Sequence, residues 1–282
     1  MCAADYGRLG YACPLRAVSA EEAAACVREL EEAEQRAADG HISKAELQRV
    51  LNGYPHLCLP LASKLISDDR ITSAVAEVFG QPDLLCWGAQ FFIKEPHSET
   101  FVAPHTDLFD PIFTHALTAF VALTPCTSES GCLRLYPGTH NKERGSAAPV
   151  GQERGGEPAE GTELDERSSV LAELAPGEMS LHSARLFHAS GPNRSRERRI
   201  ALAIRYIRPD NRQQNATRPW AMLARGQDIV GHYELLEPPR ELLARSDLAR
   251  VRELLDANNN AASLYAAAFK RQAGGGAADG YV

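Results

Sequence analysis

PGEMSLHSARLFHASGPNRSRERRIALAIRYI, residues 176–207, is the stretch that decides the predicted fold. Two runs within it, 178–182 and 200–207, have the residue types of strands, and Gly191-Pro192-Asn193 stands between them. Such runs bounded by Gly, Pro and Asn are typical of β-strands joined by turns. The stretch therefore predicts two strands with a histidine-rich segment and a turn between them.

Runs of the same character precede this stretch. They cover residues 84–93, 117–123 and 131–136, and Pro-Gly pairs at 137–138 and 176–177 mark turns. Several short strands divided by turns suggest a β-sandwich or barrel. The sequence therefore predicts a mainly β fold.

The chain before residue 84 has helical patterns instead. Apolar periodicity predicts three helices, over residues 19–38, 44–51 and 68–79. Ser19 and Glu22 form a capping-box pattern at the start of the first helix, and Gly80 follows the end of the third. Helices are therefore expected outside the β core.

The composition argues against several classes of protein. The formal net charge of −7 and the pI near 5.8 speak against nucleic-acid binding, which needs clustered Lys and Arg. The 7 cysteines lie apart with no C-x-x-C motif, so we expect a reducing cytoplasm rather than a disulfide framework. Because the chain shows no signal-peptide pattern and no apolar run near ~18 residues, no membrane association is expected.

Residues 144–168 interrupt the strand pattern. Gly, Glu, Ala, Ser and Pro dominate there, which predicts a long and mobile surface insertion. It is interpreted either as a tolerated loop insertion or as a lid that closes over a substrate.

Pro104-His105-Thr106-Asp107 carries the first chemical signal. At a strand end, residues i and i+2 point to the same side, so His105 and Asp107 can hold one ion. With the distant His188 they form the two-histidine, one-carboxylate set that binds Fe(II) and leaves positions open for a 2-oxo acid and O₂. His182 is the alternative third ligand, and is otherwise interpreted as a histidine satisfied in the core or beside the ligands.

Arg199 follows the Gly-Pro-Asn turn and opens the strand at 200–207. An arginine in this position can pair in bidentate fashion with the distal carboxylate of 2-oxoglutarate. It shares a strand face with Ala201, Ala203 and Arg205, and the small alanines leave room for a dicarboxylate. The alternative interpretation is a solvated charge on an edge strand.

Several motifs occur in a fixed order, namely Lys94-Glu-Pro, His105-Thr-Asp107, Gly131-Cys-Leu-Arg-Leu-Tyr-Pro-Gly-Thr-His140, Pro176-Gly-Glu and His188-Ala-Ser-Gly-Pro-Asn with Arg199. Together they resemble the phytanoyl-CoA hydroxylase (PhyH) family over residues 8–235. The resemblance implies a double-stranded β-helix (jelly roll, cupin-like) core with flanking helices, and iron bound by His105, Asp107 and His188. It implies one domain over 1–282, divided into a helical part 8–80, a core 84–210 with the insertion 144–168, an extension 211–270 and a disordered tail 271–282.

Matched position by position, the 2-oxoglutarate contacts of the family fall on Gln90, Phe120, Ser190 and Arg199. Phe120 stands where the phytanoyl-CoA enzyme has Trp, so it is interpreted mainly as a wall of the pocket. Thr118, two residues earlier on the same strand face, could add a hydroxyl. Halogenases of the wider family have Gly or Ala in place of Asp107, so halogenation is disfavoured.

The resemblance implies a dioxygenase that uses Fe(II), 2-oxoglutarate and O₂ to hydroxylate, or otherwise oxidise, a C–H bond of a small molecule. The expected substrate contacts are Phe92, Phe109, Phe113, Arg134 and Arg205. Segment 225–234 resembles family members that act on secondary metabolites, which favours a tailoring step in biosynthesis. Two alternatives stay open: a jelly-roll metalloenzyme that does not use 2-oxoglutarate, and a catalytically silent binding protein. A monomer or homodimer is expected.

Overall fold

The computed structural model describes residues 3–107, 116–141, 164, 166–211 and 219–257. The α-helices are α1 (Ala3–Leu9), α2 (Ala20–Ala38), α3 (Lys44–Leu51), α4 (Pro60–Ile66), α5 (Asp69–Phe79) and α6 (Arg245–Ala257). The strands are β1 (Tyr11–Arg16), β2 (Leu84–Lys94), β3 (Val102–His105), β4 (Ala116–Ala122), β5 (Leu133–Leu135), β6 (Val170–Ala172), β7 (Glu178–Ser183), β8 (His188–Ser190), β9 (Arg199–Ile207), β10 (Trp220–Arg225) and β11 (Glu234–Leu235).

The strands form two sheets. The larger sheet has the order β1-β7-β4-β9-β2-β10-β11, and the smaller one has the order β3-β8-β5-β6. Most neighbours are not consecutive in the chain, so the strands cross repeatedly between the two sheets, as in a jelly roll. The predicted fold class, mainly β with flanking helices, is confirmed.

Strand β9 lies inside the larger sheet and separates two cores. Its even-numbered residues from Ile200 to Tyr206 join a large apolar cluster with residues of the N-terminal helices, such as Leu30 and Ile71. Ala201 and Ala203 face the other way and join a second cluster with residues of the smaller sheet. The alternation of residues along β9 in the sequence therefore predicted correctly which side chains lie on each face of the strand. We call the face that carries Ala203 the inner face.

The three predicted helices are confirmed. The Ser19 hydroxyl accepts from the Glu22 backbone N–H (3.1 Å), and the Glu22 carboxylate accepts from the Ser19 N–H (2.7 Å), which completes the capping box. Asp68 caps the N-terminus of α5, and Gly80 ends it in the left-handed region at φ 67°. None of the helices in the described ranges is long and apolar enough to cross a bilayer.

Strand β1 shows where local sequence patterns were insufficient. It contains Pro14, and a proline argues against a strand except at an edge or bulge. Both conditions hold, since β1 is the edge strand beside β7 and its register shifts between Ala12 and Leu15. Most of the predicted insertion 144–168 and the whole predicted tail 271–282 lie outside the described residues, including the suggested lid.

Candidate metal centre and adjoining cavity

Strands β3 and β8 bring the two predicted histidine ligands together. They pair in antiparallel fashion with His105 opposite His188, and the two ring centroids are 4.1 Å apart. Both imidazoles are buried. Two segments more than eighty residues apart in the chain therefore meet at one point of the smaller sheet.

Each of these rings is fixed in the same way. Nδ1 of His105 lies 2.9 Å from the Ala103 carbonyl, and Nδ1 of His188 lies 3.0 Å from the Leu186 carbonyl. Because a carbonyl can only accept, each Nδ1 must donate, and each Nε2 keeps its lone pair. Burial lowers the pKa of both histidines to about 4, so both are neutral at pH 7. Neutral imidazole is the form that binds a metal ion.

Asp107 supplies the carboxylate. Its Oδ1 lies 3.9 Å from Nε2 of His105 and 3.8 Å from Nε2 of His188. Its Oδ2 accepts a hydrogen bond of 2.7 Å from the Thr118 hydroxyl. The two oxygens are thus divided between the histidines and the threonine, which suits monodentate coordination through Oδ1.

The separations fit a single ion. Two atoms bound at about 2.1 Å to one ion can be at most about 4.2 Å apart. The ligand atoms of His105, Asp107 and His188, which we call the ligand triad, all lie within 4.8 Å of one another. Side-chain movements of less than about 1 Å would bring all three onto one ion, so the donor set fits a metal of the Fe(II) type.

His182 lies beside the ligand triad. Its Nε2 is 3.7 Å from Oδ2 of Asp107, too far for a hydrogen bond, and its ring centroid is 4.8 Å from that of His188. Neither ring nitrogen has a hydrogen bond within the described ranges, although the side chain is buried. The position of His182 beside Asp107 and His188 agrees with a histidine next to the ligands, although its ring nitrogens have no hydrogen bond among the described residues.

A narrow cavity opens onto the ligand triad. Its walls come from both sheets, and they include the ligand triad and the residues Phe92, Val102, Thr118, Phe120, Leu133, His182, Ala189, Ser190, Arg199, Ala203 and Arg205. Eight of the predicted site residues outside the triad, including Arg134, lie within the described residues and can be compared with this wall. Phe92, Thr118, Phe120, Ser190, Arg199 and Arg205 belong to it, and Gln90 lies behind it.

Arg199 is not the solvated charge of the alternative interpretation. Only 1% of its surface is exposed, and its guanidinium carbon lies 5.8 Å from the centroid of the Phe120 ring. Among the described residues no carboxylate pairs with it, and its Nε has no hydrogen-bond partner. Burial lowers the pKa of Arg199. A buried cation without a protein anion is costly, and this indicates that an anion binds in the cavity.

Arg205 lies at the other end of β9, near the ligand triad. It donates to the Gln90 amide oxygen at 3.3 Å, and its guanidinium carbon lies 5.9 Å from the Trp87 ring centroid. Burial alone would raise the pKa of Asp107, but the adjacent charge of Arg205 is the largest of the effects that outweigh burial and hold this pKa well below its ordinary value. Asp107 is therefore ionised, as a metal ligand must be.

Lys94 begins the Lys94-Glu-Pro motif, but the sequence analysis assigned it no role beside the cavity. Its buried Nζ donates to the Ser190 hydroxyl oxygen at 2.9 Å and to the Gly191 carbonyl oxygen. Lys94 lies directly opposite Arg199 in the pairing of β2 with β9. The signal was present in the sequence, because Lys94 follows Gln90 and Phe92 at intervals of two along one strand face.

Other predicted substrate contacts are not part of this wall. Arg134 is partly exposed and donates to the Ser169 hydroxyl at 2.6 Å, with the Glu166 carboxylate 3.6 Å away. Its role as a substrate contact stays a prediction. Phe109 and Phe113 lie outside the described residues, so their predicted roles stay predictions as well.

The fold and the site define a class: a double-stranded β-helix with a two-histidine, one-carboxylate centre between its sheets, as in non-haem metalloenzymes. The model of the phytanoyl-CoA dioxygenase (PhyH) family matches residues 6–201. The chain belongs to the phytanoyl-CoA dioxygenase family.

Individual relatives agree with this. A probable alpha-ketoglutarate-dependent hypophosphite dioxygenase of Stutzerimonas stutzeri is 26% identical over 205 residues, which are 67% of this chain and 64% of the relative. The non-haem monooxygenase ThoJ in its apo form has a TM-score of 0.77 at 26% identity, covering 90% of this chain and 95% of ThoJ. A ThoJ–Ni complex has a TM-score of 0.73 at 26% identity, covering 96% and 97%.

Proposed function

We propose that the protein is an Fe(II)- and 2-oxoglutarate-dependent dioxygenase that oxidises a C–H bond of a small molecule. One observation carries the proposal: one cavity joins the ligand triad to the buried Arg199, which pairs with no carboxylate among the described residues. Family membership, the alpha-ketoglutarate dependence in the name of the Stutzerimonas relative and the name of ThoJ support it.

The protein has separate groups for the metal and for the cosubstrate. The ligand triad would hold Fe(II) on one side and leave the cavity side open. When bound, the iron supplies the activation of O₂ that the side chains themselves cannot provide. Arg199 and Ser190 would fix the distal carboxylate of 2-oxoglutarate, while Phe120 covers the guanidinium.

The inner face also provides the orientation that such a reaction needs. Thr118 holds Oδ2 of Asp107, so the carboxylate presents Oδ1 towards the two histidines. The small side chain of Ala203 lines the cavity between Arg199 and Arg205 along β9. Apolar walls such as Phe92 and Val102 exclude water from the cavity.

A tailoring step in secondary metabolism is the proposed context. Its support is the likeness of segment 225–234 to family members that act on secondary metabolites. With Asp107 filling the third protein ligand position, hydroxylation or a related oxidation is favoured over halogenation. The substrate would be a small molecule that enters beside the ligand triad.

The test measures succinate release from 2-oxoglutarate by the Fe(II)-loaded protein in air, with a panel of small metabolites. Stimulation of succinate release by a substrate, together with a product that carries the oxidation, is the expected result. An Asp107→Ala variant serves as the inactive control. Oxidation of an authentic substrate without succinate would instead identify a jelly-roll metalloenzyme of another kind. Absence of Fe(II) and 2-oxoglutarate binding would identify a silent binding protein.

A further inference from the structure

Two buried basic side chains lie side by side next to the cavity, with Arg199 in the cavity wall and Lys94 bonded to Ser190 of the same wall. Lys94 and Arg199 are opposite each other in adjacent strands, and they are 5% and 1% exposed. We call this pair the cationic end. Like charges at directly opposed positions repel each other, so their burial together needs a physical reason.

The contacts of Lys94 do not supply an anion. Its ammonium donates to the Ser190 hydroxyl oxygen (2.9 Å), to the Gly191 carbonyl oxygen and, at 3.5 Å, to the Ser190 carbonyl oxygen. These three neutral acceptors occupy the three N–H groups of the ammonium. In the part of the chain that the structure describes, no carboxylate pairs with Lys94 or with Arg199. Neither basic side chain therefore has a counter-charge among the described residues, and an anion bound in the cavity would supply one.

The bond from Lys94 also determines what Ser190 can do. Since the Ser190 oxygen accepts from Lys94, its hydroxyl hydrogen has to point elsewhere. No described residue accepts that hydrogen, and Ser190 lines the cavity beside Arg199. Ser190 is thus prepared to donate to an anion in the cavity.

We propose that Lys94 is a positioning residue for the distal carboxylate of the cosubstrate. It orients the Ser190 hydroxyl into the cavity and adds a second positive charge beside Arg199, so the cationic end selects a 2-oxo diacid over a 2-oxo monoacid. This inference rests on the proposed function, which supplies 2-oxoglutarate as the ligand.

The backbone around Lys94 allows the side chain to be changed without dismantling the turn. The Asn193 amide donates to the carbonyls of Lys94 and Glu95 (3.0 Å each) and of Glu197 (2.8 Å). Gly131, at φ 75°, lets the turn approach, since a Cβ there would lie 2.3 Å from the Gly191 carbonyl oxygen. The Asn193 bonds do not involve the Lys94 side chain, so a Lys94 variant is expected to keep the turn even though the Gly191 carbonyl loses its bond from Lys94.

The test compares Lys94→Met with the wild type by anaerobic calorimetry on the Fe(II)-loaded protein. The two ligands are 2-oxoglutarate and 2-oxopentanoate, which has the same carbon chain without the distal carboxylate. We expect Lys94→Met to weaken 2-oxoglutarate binding by about 10- to 100-fold and to change 2-oxopentanoate binding by less than about 2-fold. The affinity for Fe(II) should be unchanged, and Lys64→Met on the exposed side of α4 is the matched control.

A second variant separates orientation from charge. Lys94→Gln can still donate to Ser190 but carries no charge, so its loss of 2-oxoglutarate affinity should be smaller than that of Lys94→Met. If Lys94→Met weakened the binding of both ligands equally, or left the affinity for 2-oxoglutarate unchanged, the proposed role of Lys94 would be wrong. The proposed function would not be affected by that result. If the wild type itself does not bind 2-oxoglutarate in the presence of Fe(II), the proposed function fails, and this inference fails with it.

Discussion

Arg199→Met is the substitution that most directly separates a binding role from a structural one. Arg199 is 1% exposed, and in the described part of the chain no carboxylate compensates the burial of its guanidinium. Its removal should therefore make the ligand-free protein more stable while it destroys the site for the distal carboxylate. If Arg199 had only a structural role, its removal would make the ligand-free protein less stable and would leave the affinity for 2-oxoglutarate unchanged.

The burial of Arg199 determines the size of both effects, the loss of affinity for 2-oxoglutarate and the gain in stability of the ligand-free protein. Loss of one partner from a buried charge pair removes about 2–5 kcal/mol, so the affinity for 2-oxoglutarate should fall by about 30- to 5,000-fold. Replacement of an uncompensated buried charge by an apolar side chain of similar length should stabilise the ligand-free protein by about 1–4 kcal/mol. Part of that gain is offset by the lost contact with Phe120, which is worth about 0.5–2 kcal/mol.

The assays are anaerobic titration of the Fe(II)-loaded protein with 2-oxoglutarate, and thermal unfolding of the ligand-free protein. At about 2–4 °C per kcal/mol for a protein of this size, a rise in Tm of several degrees is expected. Arg134→Met, which changes a partly exposed arginine with its own protein partners, is the control. A variant with a lower Tm and unchanged affinity for 2-oxoglutarate would refute the reasoning.

Three further outcomes are expected. His188→Gln should abolish binding of Fe(II) or Mn(II) in calorimetry, whereas His182→Gln should retain it, and the reverse result would move the third ligand to His182. Thr118→Val removes the hydrogen bond to Asp107 and should weaken Fe(II) binding by about 10- to 100-fold, and unchanged metal affinity would show that the carboxylate does not need this donor. Burial, together with the adjacent Arg199, lowers the pKa of Lys94 to about 7. Because a carboxylate ligand favours the protonated amine, 2-oxoglutarate affinity should fall as the pH rises above about 7, towards tenfold per pH unit, and a pH-independent affinity in the wild type would contradict this.

The pH dependence would be specific to Lys94 because its neighbours do not titrate in that range. From β9, Arg199 faces it as a permanent cation. From the segment before β5, burial raises the pKa of the Cys132 thiol to about 11. From β8, Ser190 presents only a hydroxyl and a carbonyl. The slope should therefore disappear in Lys94→Met, which has no group to protonate.

The sequence predicted those elements that have strong local signals. The capping box at Ser19, the glycine after α5 and the alternation along β9 each act within a few residues, and each is found in the structure. Strands β3 and β8 are only a few residues long and are defined by pairing with distant strands. Local patterns cannot reveal such pairing, and only the histidines and the turn beside them indicated these strands.

The sequence predicted the candidate metal ligands, because metal coordination restricts the residue types that can serve. The prediction of the site was incomplete where no such restriction applies. A two-histidine, one-carboxylate set has few alternatives, so His105 and Asp107 could be recognised from their spacing. Lys94 could not be recognised in this way, since lysine is common at strand ends and its meaning depends on the residues that it contacts across two sheets. Likewise, only the coordinates show that His182 has no hydrogen-bond partner among the described residues.

One face of the larger sheet contributes mainly to stability, and the other face carries the candidate site. The face towards the helices is almost wholly apolar, and it forms the large core cluster. The inner face concentrates buried polar atoms that have no hydrogen-bond partner within the described ranges, among them both ring nitrogens of His182, Nε of Arg199 and the hydroxyl of Ser180. Each such atom opposes folding, so the helical face must outweigh them before any ligand is present. Fe(II) and 2-oxoglutarate would bind to polar atoms of the inner face. Together they should raise the Tm more than either ligand does alone, because the bound 2-oxo diacid would reach from the ligand triad to the cationic end.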